Sequence, residues 1–424
     1  MKFIYKLLSL SLAIACLSGC SAANTEIASS SAATATVTPT TDSTEVPASN
    51  NVFTSAGDGL YVTTDSGIYE LQTVFPDSAN IFYTDANTKE RIFLCANPNC
   101  THADESCPSY IATPSAMFPP MLLRVGDQLL VVFTETTDSS NPHGMLMNMD
   151  GSNRRTVFEL ASNQYMQGGF CTSGNDLYFD LYEIDDSGNV TYQLWYVSFE
   201  NGTSEKVMDL GSDSDHYSLC DGANNELCFN HVSSDGISYC MYNPQSKTIS
   251  DPFFVDSSVS GNSMIQDGYL FVLDEQASSV QRIRLSDEEQ ASASFTVKEG
   301  FGAPSMRYLF DGNLMITEAQ TTASDIPTDG SYGVCSYILD FGTRNCTEFT
   351  LQTPYNNRPV YVLTTIGDAC YVATDYKTYT PTSVSEDGTV SNFDYVANIY
   401  AFITKQDYIN SNQNGYSMVK DAFE

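Results

Sequence analysis

The stretch "GDQLLVVFTETTDSSNPHGMLMNMDGSNRRTVFEL" (residues 126–160) decides the fold. A Gly-Asp turn opens onto the apolar strand at 129–133, and a polar loop follows. An alternating strand then turns at Asp150-Gly151 into another strand ending at Leu160. Asp-Gly between two alternating segments is among the strongest hairpin signals in a short sequence. The opening turn and strand recur as "GDGLYV" (57–62), "GNDLYF" (174–179), "NNELCF" (224–229), "QDGYLFV" (266–272), "DGNLMI" (311–316) and "GDACYV" (367–372). With the leucine or its equivalent as marker, the positions are 60, 129, 177, 227, 270, 314 and 370, in steps of 69, 48, 50, 43, 44 and 56. Second hairpins fall inside the units, as in "IFYTDANTKERIFLC" (81–95), "QLWYVSFENGTSEKVMDL" (193–210) and "SYILDFGTRNCTEFTL" (337–351). No 3.6-residue period survives over a useful window. Four strands per unit at this spacing predict an all-β chain, a β-propeller of seven four-stranded blades, with six or eight also compatible.

Strand order places the loops. Blade strands run antiparallel from the centre outwards, so connections 1–2 and 3–4 share one face of the disc. Connections 2–3 and the crossovers share the other. The marker turns read as tight 1–2 turns. The 2–3 connections are longer: "TETTDSSNPHG" (134–144), "YEIDDSGNVT" (182–191), "EAQTTASDIPTDGSYG" (318–333) and "YKTYTPTSVSEDGTVSNFDYVAN" (376–398). Loops of such length are usually functional or disordered. This makes their face the candidate binding surface, with Asp185, Asp325, Asp329, Tyr376 and Tyr379 as its candidate residues.

"MLMNMDGSNRRTVFEL" resembles the repeats of periplasmic Tol-type propellers and of receptor-like bacterial propellers, where a strand ends in an Asp-Gly turn. With the features described next, the whole chain resembles bacterial lipid-anchored propellers with no assigned activity. That resemblance implies fold and location, and nothing about chemistry.

The chain opens with Lys2 and Lys6, then an apolar run at 7–16, then Leu17-Ser18-Gly19-Cys20. Charge, apolar length and small residues give an export signal over 1–19 that is too short to span a membrane. The last four residues resemble the bacterial lipobox, which makes Cys20 the acyl acceptor and the membrane the first partner. Residues 20–52 then form a Ser/Thr/Ala-rich tether without the apolar surface to fold. It would span on the order of 30 Å as a coil and about 110 Å extended. The propeller occupies 53–424. The expected location is the outer side of the cell membrane, anchored by lipid.

Charge excludes one class of partner. The chain has 18 basic and 52 acidic residues, a net charge of −34. A surface this acidic argues against nucleic acid and anionic lipid.

Chemistry concentrates in "LCANPNCTHADESCPSY" (94–110). Cys95, Cys100, His102 and Cys107 follow C-x4-C-x-H-x4-C, and Asn97-Pro98-Asn99 makes a turn between the first two. All four can converge on one tetrahedral ion, a Cys3His structural zinc set. The rival is a disulfide-pinned loop, since exported proteins favour disulfides. Cys228 with Cys240, and Cys335 with Cys346, flank hairpins and are candidate disulfides. Either way the set is closed, whereas catalytic zinc keeps an open position. The segment therefore reads as a staple, placed in a crossover insertion at 95–119 on the long-loop face.

No G-x-S-x-G, H-E-x-x-H, P-loop or EF-hand pattern occurs. His143, His216 and His231 read as surface or satisfied polar residues, and Trp195 as core. Two functional readings follow. One is a non-catalytic binding or scaffold module for an extracellular protein, peptide or glycan. The alternative is a carbohydrate-active glycosidase or lyase with carboxylates gathered in the funnel.

Overall fold

In the computed structural model the repeat turns sit where φ is positive: Gly126 at 56°, Gly174 at 60°, Asn224 at 56°, Asp267 at 53°, Asp311 at 53° and Gly367 at 56°. Left-handed backbone is costly for most L-residues and tolerated by Gly, Asn and Asp. It also matches the twist of the strands that such turns join. This is the physical content of the marker. The structure describes residues 53–55, 59–74, 78–113, 119–137, 140–256, 262–320, 333–379, 382–384, 390–392 and 395–421. No helix among them is long and apolar enough to cross a membrane.

After a short strand β1 (Thr54–Ser55), antiparallel four-strand units follow one another. The first is β2 (Tyr61–Thr63), β3 (Gly67–Val74), β4 (Ser78–Asp85) and β5 (Arg91–Phe93), with β6 (Tyr110–Ala112) also on β4. The next is β7 (Met121–Val125), β8 (Gln128–Phe133), β9 (His143–Asn148) and β10 (Arg155–Glu159). Then come β11 (Gln164–Ser173), β12 (Asp176–Ile184), β13 (Val190–Ser198) and β14 (Thr203–Ser212). They continue into β15 (Asp215–Ala223), β16 (Glu226–Ser233), β17 (Gly236–Asn243) and β18 (Thr248–Ile249), with β19 (Phe254–Asp256) on β17. A short β14–β15 pairing joins these two units into one sheet. The next unit is β20 (Ser263–Gln266), β21 (Tyr269–Asp274), β22 (Ser279–Arg284) and β23 (Gln290–Ser294). It is followed by β24 (Phe301–Tyr308), β25 (Leu314–Gln320), β26 (Val334–Asp340) and β27 (Asn345–Phe349). The last unit holds β28 (Val362–Ile366) and β29 (Ala369–Tyr379), and a separate pair β30 (Thr382–Val384) and β31 (Val390–Asn392) follows in the chain. The unit is completed by β32 (Tyr395–Thr404) and β33 (Ser417–Met418).

A sheet with two apolar faces must bury both, and here each face packs on the neighbouring unit. Tyr69 and Ile81 of the first meet Leu129 and Val131 of the next. Leu130 and Val132 on the other face meet Leu177 and Phe179. Tyr178 and Tyr196 meet Leu227 and Phe229, and Cys228 on the opposite side meets Leu270 and Ile283. Phe271 and Val280 meet Leu314 and Ile316, while Met315 and Ile338 meet Cys370 and Val372. Finally Tyr371, Tyr400 and Phe402 of the last unit pack on Ile68 of the first. The stack returns to its start, and the first strands touch one another (β28 with β2, β2 with β7, β7 with β11, β11 with β15). The chain is an all-β propeller.

Several expectations are corrected. "GDGLYV" is no 1–2 turn, because Tyr61–Thr63 is itself the first strand and the turn follows it, leading into "GIYEL". The loop expected at 376–398 is largely strand, since β29 and β32 stay paired out to Tyr376↔Asn398 and Tyr379↔Tyr395. The candidate disulfides are not formed, and the thiols are free. Cys228 lies opposite Met241 and Cys240 opposite Phe229, so the two point to opposite faces and enter different apolar layers. Cys346 lies opposite Leu339, four residues along β26 from Cys335, about 13 Å at strand rise.

The ring closes on a buried cation. The Arg91 side chain is 1% exposed, and its Nε and Nη2 donate to Glu70 Oε2 at 3.0 and 2.9 Å. Nη2 also reaches Gln72 Oε1 at 2.7 Å, and Nη1 reaches Asp421 Oδ1 at 3.1 Å. Tyr400 Oη donates to Glu70 Oε1, and the guanidinium lies 3.7 Å from the Phe82 ring centroid. Burial works against the charge, but Glu70 and the phenols of Tyr400 and Tyr371 more than offset it, so the Arg91 pKa rises. Removing one partner of such a pair leaves an uncompensated charge, so Arg91→Met should cost about 3–5 kcal/mol. The E70L/R91M double variant should cost less than the sum of the single variants. Urea unfolding of the purified protein measures both, and strict additivity would refute the coupling.

Candidate functional site

The Cys/His segment interrupts an outer strand. β4 pairs β5 through Phe82↔Phe93, Tyr83↔Ile92 and Thr84↔Arg91, then pairs β6 through Asn80↔Tyr110, Ala79↔Ile111 and Ser78↔Ala112. The short β5 leaves half of β4 uncovered, and β6 returns to cover it. Residues 94–109 are therefore an excursion from the outer edge of the first unit. The crossover placement on the long-loop face is corrected accordingly.

The excursion brings its four candidate ligands together. The Cys95, Cys100 and Cys107 sulfurs and a His102 ring nitrogen all lie within 4.8 Å of one another. Among the described residues no other group of three or more such side chains does so. Tetrahedral zinc with Zn–S near 2.3 Å and Zn–N near 2.0 Å sets ligand atoms about 3.5–3.8 Å apart. The cluster is thus a complete donor set for a metal such as zinc. His102 takes a left-handed φ of 55°, and its ring stacks on Phe93 at 4.0 Å between centroids. That fixes Nδ1 at 3.2 Å from Cys107 Sγ. Asn97 turns the chain through contacts to Asn99 N at 3.1 Å and Cys100 N at 3.2 Å.

Supports come from afar, and the sequence did not reveal them. Cys107 Sγ contacts Ser109 Oγ at 3.1 Å, and Ser109 donates to Asn80 Oδ1 at 2.9 Å. Arg154 of the β9–β10 hairpin donates to Tyr110 O at 2.7 Å and to Pro108 O. The excursion is thereby docked on the next unit. Burial pushes the Cys107 thiol up, but its contacts with Ser109, side chain and backbone, and with His102 and Cys100 more than offset it and hold it at about 6. Burial pushes Cys95 up to about 11.

The candidate binding-face residues are dispersed. Asp185 is exposed and organises its own turn, accepting from Ser187 N at 2.8 Å and Asn189 N at 2.9 Å. The Asn189 side-chain amide, which donates to Asp185 Oδ2 at 2.8 Å, and then those backbone bonds hold its pKa below the usual carboxylate range. Tyr376 is half-buried and meets Tyr355 edge-on at 5.5 Å. The backbone of Tyr379 extends β29, while Asp325 and Asp329 lie outside the described residues. The histidines are ring-stacked, His143 on Phe133, His216 on Tyr192 and His231 on Tyr217. His231 Nε2 also meets Asp215 Oδ1 at 2.7 Å, so Asp215 serves this pair.

Buried carboxylates act between strands and units. Asp180 is 1% exposed and accepts from Gly169 N at 3.2 Å and from Leu219 N of the next unit at 3.0 Å. Asp221 accepts from Gly222 N at 2.7 Å and from Gly268 N of the following unit at 2.9 Å. At the centre, β1 pairs with the first strand β11, and Phe53 is buried between that unit and the next.

No protein-family model matches the chain, and no curated protein matches it. Three solved structures similar to it are distant in sequence. The tricorn protease has 11% identity and a TM-score of 0.31 over 81% of this chain, which spans 35% of that protein. Puromycin hydrolase, as an S511A mutant, has 11% identity and a TM-score of 0.43, covering 82% of this chain and 59% of that one. TolB from Acinetobacter baumannii has 10% identity and a TM-score of 0.32, covering 82% and 80%. None of these carries an argument about function.

Burial raises Asp180 to about 7, with its backbone hydrogen bonds offsetting part of the rise. Its unfolded value is near ~3.9. Between these values the folded chain holds a proton that the unfolded chain has released. Stability therefore falls as pH rises through this window, by up to about 1.4 kcal/mol per unit, and levels off above it. Asp180→Asn cannot titrate. The wild-type minus variant difference in unfolding free energy should slope downward from about pH 4.5 to 7, and a flat difference would show that Asp180 does not titrate there.

Proposed function

We propose that the protein is an exported, lipid-anchored propeller of seven blades. In this reading it is a non-catalytic binding or scaffold module for an extracellular protein, peptide or glycan. The observation that carries it is the commitment of three of the four carboxylates buried among the described residues; the fourth, Glu318, accepts from Lys298 N at 3.1 Å through one oxygen and leaves the other unpaired. Asp180 and Asp221 each hold two backbone N–H groups, and Glu70 holds Arg91. The lipobox-like Cys20 and the tether supply location. The carbohydrate-active alternative draws on the Asp180 pKa of about 7, a value suited to an acid catalyst. Both oxygens of that carboxylate are already engaged. Expressed in a bacterium, the protein should fractionate with membranes and take up a fatty-acid label, and Cys20→Ala should lose both. The released protein should retain a polysaccharide or protein partner without generating new chain ends. New chain ends that vanish in Asp180→Asn would overturn the binding reading.

The Cys/His cluster is, in the same proposal, a structural zinc staple between the outer edges of two blades. Four protein ligands would fill a tetrahedron around zinc and leave no open position. Elemental analysis should find about one zinc per chain. Three thiols should become reactive only on chelation, and the other seven should alkylate on unfolding without reductant. Cys100→Ser or His102→Ala should release the metal. Metal-free protein with oxidised cluster thiols would make the segment a disulfide staple instead.

A further inference from the structure

A second site lies on the other face, where turns of the first and last units meet the first strand of the second. A cavity of ≈ 440 Å³ opens there, lined by Thr64 and Asp65 of the β2–β3 turn, Lys89 of the β4–β5 turn, Arg124 of β7, and Thr365 and Gly367 of the β28–β29 hairpin. That volume is within the range of small-molecule sites. The chain has 18 basic residues against 52 acidic ones, so a cavity lined by two cations and one carboxylate departs from the rest of the surface.

Both cations are held in place by the fold. Lys89 has a left-handed φ of 61°, and its Nζ donates to Ala86 O and sits 4.0 Å from the centroid of the Phe402 ring. Its remaining N–H groups have no protein acceptor among the described residues. Burial lowers its pKa, with Asp85 opposing, so the ammonium is partly stripped of water. Arg124 Nε donates to Gly126 O at 2.9 Å, and Nη1 reaches Thr63 O at 3.5 Å across the unit boundary. Its nearest carboxylate, Asp127, is 3.5 Å away and fully exposed, where solvent screens the pair. A partly dehydrated ammonium and an oriented guanidinium, beside threonine hydroxyls, form a donor set for oxygen anions. Asp65 leaves the lining a single net positive charge, which suits one anionic group and disfavours polyanions.

We propose that this cavity binds a small ligand through one oxyanion group, a carboxylate or a phosphate, held by Lys89 and Arg124 with Thr64 and Thr365. The site lies on the turn face, away from the 2–3 connections, and is independent of the binding reading above. The test is thermal-shift titration of the full chain with inorganic phosphate and, separately, acetate, at constant ionic strength set by chloride. At least one anion should raise the melting temperature saturably. Lys89→Met and Arg124→Gln should each weaken its apparent affinity by about tenfold, the loss of one charge-assisted hydrogen bond. Lys298→Met, at a distant lysine, should leave it unchanged. Saturation by phosphate alone assigns a phosphate-bearing ligand, and saturation by acetate alone a carboxylate. Should Lys89→Met fail to fold, Arg124→Gln at the exposed rim decides. Non-saturable shifts, or shifts equal in wild type and Arg124→Gln, overturn the proposal.

Discussion

The joint on which the ring depends is built on the Arg91–Glu70 pair of the first unit, which reaches the last unit through Tyr400 Oη on Glu70 and reaches Asp421 through Arg91. The last unit takes its four strands from one continuous stretch, β28 to β33, so no strand from the chain start closes it. Backbone contact across the joint is slight: a parallel bridge of Glu90 with Lys420, and bonds from Arg91 N to Lys420 O and from Lys420 N to Lys89 O, both at 2.8 Å. Side chains supply the rest. Burying a guanidinium is unfavourable unless its donors are met, and here carboxylate and amide oxygens meet them beneath aromatic rings. Were this joint to open, Ile68 on one side and Tyr371 and Phe402 on the other would meet water. Every other unit is covered on both faces by its neighbours. Ring closure is thus what lets the whole stack remain buried.

The same joint explains where the cationic cavity lies. It opens at the rim of the closure, where the Lys89 turn follows the strand carrying Thr84 and precedes Arg91 itself. The Thr63 and Thr364 hydroxyls meet at 2.9 Å beside it. Other units also share buried polar bonds, Asp180 to Leu219 N and Asp221 to Gly268 N. The first and last units add a buried ion pair to the apolar contact of Ile68 with Tyr371 and Phe402, and the cationic cavity opens beside it.

Much of the fold was legible because its turns demand particular residues. A positive φ at six of the markers favours Gly, Asn or Asp, so the repeat is written in local sequence. The first marker misled because "GDG" before β2 and "DSG" before β3 read alike as Gly/Asp turns, although no residue of "DSG" takes a positive φ. The disulfide expectation failed on parity. Pairing across the β16–β17 hairpin sets 229 against 240, and a shift of one residue puts Cys228 on the other face. The ligand set itself was readable, being local: Cys95, Cys100, His102 and Cys107 fall within one excursion. Its supports, Asn80 and Arg154, and the cavity between distant turns depend on register and ring closure, which a single sequence does not display.

The cysteines divide into two chemical populations, and the division bears on the cluster. In the apolar layers burial raises Cys240 and Cys370 to about 12 and lifts Cys171 and Cys228 well above the usual thiol value. Such thiols stay protonated and pack as small apolar groups. At Cys107 the contacts with Ser109, His102 and Cys100 win over burial instead, and the thiolate is favoured. A thiolate beside two further thiols is the arrangement most prone to oxidation outside a reducing compartment, unless an ion occupies the sulfurs. Zinc with three thiolates and a neutral imidazole carries one net negative charge. Arg154, bound to the carbonyls of Pro108 and Tyr110, brings a positive charge to the same loop. That cation complements Glu105 of the loop as well as negative charge on Cys107.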